Sequence, residues 1–166
     1  MEHPLIPSAP APESSREILA RTALATVGRL LSLIDRNPHS PTYGCVDRLH
    51  WHYRMIDFPS GMQQEAALPL ALAWKLPIPG NPWHQNPALP GLIRAAVDFA
   101  VRSSHRDGSC DDYFPFEKAG GATAFSLFGM IEACHIVGLR EPGHLAFFER
   151  RADWLCLLYT SPSPRD

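Results

Sequence analysis

Proline and glycine cut this chain into helix-length pieces, and that punctuation constrains the fold more than any single motif. Seventeen prolines and eleven glycines are spread over 166 residues. Proline has no N–H and a fixed φ, so it belongs in loops and at helix starts, and it drives the preceding residue out of the α region. Between the breaks, apolar residues recur at i, i+3/i+4, the period of a helix with one buried face. No stretch alternates apolar and polar residues as a half-buried strand does. The expectation is an all-α chain built of antiparallel helix pairs.

Taken in order, residues 1–13 read as a Pro/Ala/Ser-rich arm. Ser14-Ser15-Arg16-Glu17 is a capping box. It opens a helix to about Asp35 with Ile18, Leu19, Ala23, Val27, Leu30, Leu31 and Ile34 as its apolar stripe, and Asn37-Pro38 ends it. A second helix spans about Met62 to Leu76 and buries Ala66, Ala67, Leu70, Ala71 and Trp74, with Pro69 bending it or interrupting its first turns. A third runs from about Pro87 to Ser104, with Pro90 in its first turn and Leu92, Ile93, Ala96, Val97 and Ala100 toward the core. The fourth, about Ala122 to Val137, carries Phe125, Phe128, Ile131 and Val137, and Gly138 is a natural residue to end it. A fifth begins near Glu141-Pro142 and bears Leu145, Phe148, Ala152 and Leu155. Residues 14–155 thus make one domain. The last eleven residues, CLLYTSPSPRD, are expected to leave that helix without a cap. They resemble translated sequencing-adapter DNA, which implies that the chain is an N-terminal fragment, exposing faces that missing hairpins would cover.

Composition narrows the partners. At 45% hydrophobic and 19% charged, the chain is globular rather than disordered. A net charge of −2 without a basic cluster excludes nucleic acid. No unbroken run of about 18 apolar residues occurs, so membrane insertion is not expected. The start, MEHPLIPSAPAPESS, lacks the basic and apolar regions of a secretory signal, which points to the cytoplasm. The four cysteines, Cys45, Cys110, Cys134 and Cys156, form no CxxC pair and read as free thiols. No zinc-type ligand spacing appears, so no metal or cofactor is assigned.

Function is expected in two loops. The first, residues 37–60, is long for a compact domain and is held by aromatics. Tyr43, Asp47, Arg48, His50, Trp51, His52 and Asp57 interleave rings with charges, and Glu65 lies beside them at the start of the second helix. Rings stack on sugar C–H faces while charged groups fix hydroxyls and carboxylates, so a polysaccharide or oligosaccharide is the expected ligand. A packed Ω-loop with satisfied salt bridges is the plainer reading. His50 and His52 could also share a metal with Asp47 or Asp57, although ligand contact or a structural hydrogen bond is favoured. The second loop, HRDGSCDDYFPFEKAGG from His105, offers Asp111, Asp112, Tyr113 and Glu117. Two of these carboxylates could flank a scissile glycosidic bond, or all could simply solvate the loop. Asp107 serves the turn, His105 complements a helix dipole, and His84, His135 and His144 carry no partner signal. There is no phosphate-binding glycine loop and no nucleophile elbow.

The phrases LIDRNPHSPTYGCVDRLHWHYRMIDFPSGMQQEAALPLAL and HRDGSCDDYFPFEKAGGATAFSLFGMIEA resemble the N-terminal toroid helices of the heparinase II/III-like polysaccharide lyases, over roughly residues 28–140. The resemblance implies an incomplete α/α toroid and a lyase acting on an anionic polysaccharide by β-elimination. A Tyr or His would take the C5 proton, and an Asn, Arg or His would neutralise the uronate carboxylate. The family's catalytic residues lie beyond the early helices, so no catalytic position is assigned. Other readings are a non-catalytic polysaccharide-binding or assembly protein, a toroid glycoside hydrolase, and a terpenoid-cyclase-like toroid. The last is weakened by His105 and Cys110 standing where its repeats carry Gln and an aromatic.

Overall fold

A computed structural model describes residues 14–160, and among these every regular element is helical. The elements are α1 (Ser15–Leu33), α2 (Arg48–Trp51), a 3-10 helix (Gly61–Ala66), α3 (Ala67–Lys75), α4 (Ala88–Ser103), α5 (Gly120–Val137) and α6 (Pro142–Thr160). The all-α expectation holds. The arm and residues 161–166 lie outside the described residues.

The capping box forms as read. Ser14 Oγ accepts from the Glu17 amide at 3.3 Å while Glu17 Oε2 accepts from the Ser14 amide at 2.9 Å. The helix stops short of Asp35 because the chain there pairs elsewhere: the Asp35 amide donates to Cys45 O and the Gly44 amide to Asp35 O. Trp51 Nε1 then donates to Leu33 O at 2.7 Å, satisfying a carbonyl at the helix end that has no helical partner. The stripe of α1 is only half used. Val27 is buried, but Ile18 and Leu19 are 51% and 70% exposed, since no described element reaches the first turns.

The second helix is two pieces. Gly61–Ala66 winds as 3-10, and α3 begins only at Ala67, so Pro69 falls in its first turn where its missing N–H costs no helical bond. Gln64 explains the tighter winding. Its buried amide accepts from the Val46 amide at 2.8 Å and donates to Gly44 O at 3.2 Å and Ala96 O at 2.7 Å, tying the loop and α4 to this turn. Gly44 has φ +90°, and a Cβ there would meet Ala95 O at 1.9 Å, so the loop can lie on α4 only with glycine.

At the centre lies α5, packed on α3, the 3-10 helix and α6, while α4 packs on α3. Its apolar character runs all the way round, and its mean hydropathy of 1.3 over 18 residues would suit a membrane span by length and composition. Burial divides its residues by face: Ala122, Thr123, Ser126, Leu127, Gly129, Met130 and Ala133 are buried, and Phe125 and Phe128 are 59% and 62% exposed. Small residues let neighbours approach: a Cβ on Gly129 would sit 3.0 Å from Glu65 Cα. Gly138 closes the helix at φ +77°, as read.

One correction concerns α6. It does not end at Cys156 but continues to Thr160, with Leu157 and Leu158 the good helix formers of that stretch. Of Leu145, Phe148, Ala152 and Leu155 only Phe148 is buried, and His144, Phe147 and Arg151 share its face. Arg151 is 1% exposed, donates to Cys110 Sγ at 3.1 Å and Ser126 Oγ at 3.0 Å, and lies over the Phe147 ring. Polar residues at core positions hide the stripe from a hydrophobicity reading. The cysteines are free thiols; burial pushes Cys45 up to about 12.

Candidate functional site

The two loops meet. Residues 47–65 and Asp112-Tyr113 enclose a cleft of 460 Å³ lined by Asp47, Leu49, Phe58, Ser60, Gln63, Glu65, Asp112 and Tyr113. Beside it, sharing Asp47, Leu49 and Gln63, lies a second cleft of 380 Å³ whose wall adds Arg29, Ser32, Arg48 and Tyr53. One end of the pair is therefore acidic and the other carries two guanidinium groups.

The floor is held by Asp47, which is fully buried. Its Oδ1 accepts from the Leu49 and His50 amides at 3.0 and 3.4 Å, capping α2, and its Oδ2 accepts from the Ser60 amide at 2.9 Å. This carboxylate places residues 48–60 more than it offers itself to a ligand. Ser60 Oγ in turn donates to Asp112 Oδ1 across the two loops. Gly61 lets them close: a Cβ there would overlap Cys110 Sγ at 2.4 Å. Arg48 lies over the Tyr53 ring at 5.2 Å, and its Nε is buried without a partner.

The acidic loop is largely self-saturated. Glu117 Oε1 accepts from the amides of Asp112, Tyr113 and Phe114. Asp111 accepts from the Phe116 and Lys118 amides at 2.9 and 3.1 Å and pairs with His105 Nε2 at 2.8 Å. Those bonds hold Phe116 and Lys118 at φ 63° and 51°, left-handed values that non-glycine residues seldom adopt. Burial raises the Asp111 carboxyl, but the His105 bond and the two amides outweigh it and hold the group below its ordinary value. Backbone bonds, Tyr113 foremost, lower Glu117 in the same way. Asp107 accepts from Ser109 and from Lys118 Nζ at 2.6 Å; against the raising effect of burial, these bring it down to about 2. Asp107 thus serves the turn, as read.

Of the residues expected at the site, the structure brings Asp47, Arg48, Glu65, Asp112 and Tyr113 to the paired clefts. It does not bring the others. Asp111 and Glu117 turn into their own loop, and Trp51 is spent on the end of α1. His50 Nδ1 meets Ile56 O at 3.2 Å, and the His52 ring packs edge-on to Trp51 and Tyr53. Tyr43 lies by the end of α4, where its carbonyl accepts from Arg102, and Asp57 is exposed and lines neither cleft. The H-x-H pair therefore does not gather a metal set with Asp47 or Asp57. Sequence reading missed Arg29, Ser60 and Gln63. Arg29 hid on the polar side of α1, and Gln63 neighbours the buried Gln64 in a segment read as ordinary helix.

Chemically, the paired clefts can stack a ring on Tyr113 or Tyr53, accept hydroxyl protons on Glu65 and Asp112, and bind an anion at Arg29 and Arg48. Comparisons with known protein families, with curated proteins and with solved structures find no match to this chain.

Proposed function

We propose that this chain binds an anionic polysaccharide or oligosaccharide in the paired clefts and is the N-terminal part of a carbohydrate-active α/α toroid of the heparinase II/III-like lyase kind. The observation that carries the reading is Arg29 and Arg48 in one wall, with Tyr53, next to a cleft lined by Glu65, Asp112 and Tyr113. A guanidinium fork fits a uronate carboxylate, and the neighbouring acids and rings fit the hydroxyls and C–H faces of adjoining sugars. For β-elimination, neutralising that carboxylate acidifies the C5 proton, which is the part Arg48 and Arg29 are suited to. No residue of this chain is assigned as the base.

A toroid reading is supported by the apolar surface left uncovered. A groove of 450 Å³ runs between α1 and α5, lined by Leu30, Leu33, Leu68, Phe125 and Phe128. Further hairpins stacked there would bury it.

Titration of the full chain with oligogalacturonate tests the binding reading. Arg48→Ala is expected to weaken binding roughly tenfold, the worth of one charge-assisted contact, and Arg29→Gln to weaken it less. Equal affinity for a neutral oligosaccharide of the same length would overturn it. An unsaturated product absorbing in the ultraviolet would favour the lyase over the binding-protein alternative.

A further inference from the structure

We infer that Asp98, Glu141 and His144 form a site for a divalent transition-metal ion of the zinc type. Asp98 comes from α4, Glu141 immediately precedes α6, and His144 lies in its first turn. His144 Nε2 stands 2.6 Å from Asp98 Oδ1 and 3.7 Å from Glu141 Oε2, and the three donor atoms all fall within 4.8 Å of one another. A tetrahedral ion with bonds of about 2.0–2.2 Å sets its ligand atoms roughly 3.4 Å apart, so small side-chain adjustments bring all three onto one ion.

Three features separate this cluster from an ordinary ion pair. Two carboxylates converge on one imidazole nitrogen, whereas a single N–H serves one strong acceptor. His144 is only 4% exposed, and its ring packs against Phe148 with Nε2 turned to both carboxylates. The other Glu141 oxygen is held by Arg94, an outer contact that fixes the carboxylate as second-layer groups do around metals. A cavity of 340 Å³ reaches Glu141 and His144, with Cys134 and His135 in its wall, giving an entry path and room for a further donor. It shares no lining residue with the paired clefts, so this site is independent of the carbohydrate reading. A buried imidazole selects a zinc-type ion over magnesium or calcium, which favour oxygen-only shells.

The test uses the full chain stripped with a chelator, then titrated with Zn²⁺ against a chromophoric competitor. One ion per chain is expected, with Mg²⁺ failing to compete. Asp98→Asn, which keeps shape and hydrogen bonding at a part-exposed position, and Glu141→Gln should each weaken binding at least about tenfold, the loss expected on removing a charged ligand. His84→Ala, at an exposed position, should change nothing. Co²⁺ in place of zinc should give visible absorption that Asp98→Asn removes. Absence of Zn²⁺ binding by the unaltered chain, or full binding retained in both carboxylate variants, would overturn the assignment; circular dichroism of the variants separates loss of the ion from loss of fold.

Discussion

Two regions of this molecule pair a histidine with carboxylates, and they use them in opposite ways. In the acidic loop, His105 meets Asp111 at 2.8 Å, with Asp107 and Glu117 nearby in sequence. At the α4–α6 junction, His144 meets Asp98 at 2.6 Å, with Glu141 beside it. The loop carboxylates accept from backbone amides at almost every turn. The junction carboxylates are met by the side chains of Arg94 and His144. A carboxylate saturated by its own backbone shapes a loop; one facing only side chains keeps acceptor capacity for a ligand. Density of acids in the sequence is therefore a poor guide to which acids are available.

The contrast can be broken by mutation. Asp111→Ala should have the largest effect, about 1–2 kcal/mol in urea unfolding, because it removes the bonds to two loop amides and to the part-buried His105 ring. Asp98→Asn should cost less than about 1 kcal/mol, since that pair is part-exposed and the amide keeps an oxygen acceptor. Equal costs would erase the distinction. Acid unfolding sharpens it. Asp107 and Asp111 are held below their ordinary values, so their stabilisation is present above about pH 4 and lost as pH falls through the folded values, toward about 2 for Asp107. Asp107→Asn should flatten the stability curve in that window and leave the neutral region comparatively unchanged. The smallest effect belongs to Lys118→Met. Its pair with Asp107 is 48% and 32% exposed, so a few tenths of a kcal/mol, vanishing at high salt, are expected.

Much of the fold was legible because it depends on local rules. The Ser14 box, the Gly138 terminator and Pro90 in the first turn of α4 each act within a few residues, and each stands where the sequence puts it. The candidate site was legible only in part. Asp112, Tyr113, Glu65 and Arg48 reach the clefts, but Trp51, Asp111 and Glu117 are consumed by the scaffold, and residue type alone does not tell the two apart. The buried face of α5 was not legible, because apolar residues run all the way round it and only close helix approach, as at Gly129, decides which side is covered.

By itself, then, the sequence determined the helical class, most element starts and stops, and the two loops where polar and aromatic groups gather. Those follow from backbone geometry and short-range capping. Only the tertiary structure decided that Gln64 joins the loop to α4, that Arg151 lies in the core, and that Asp98 and Glu141 converge on His144. Asp98 and His144 stand 46 residues apart along the chain, and nothing short of helix packing brings such groups within bonding distance.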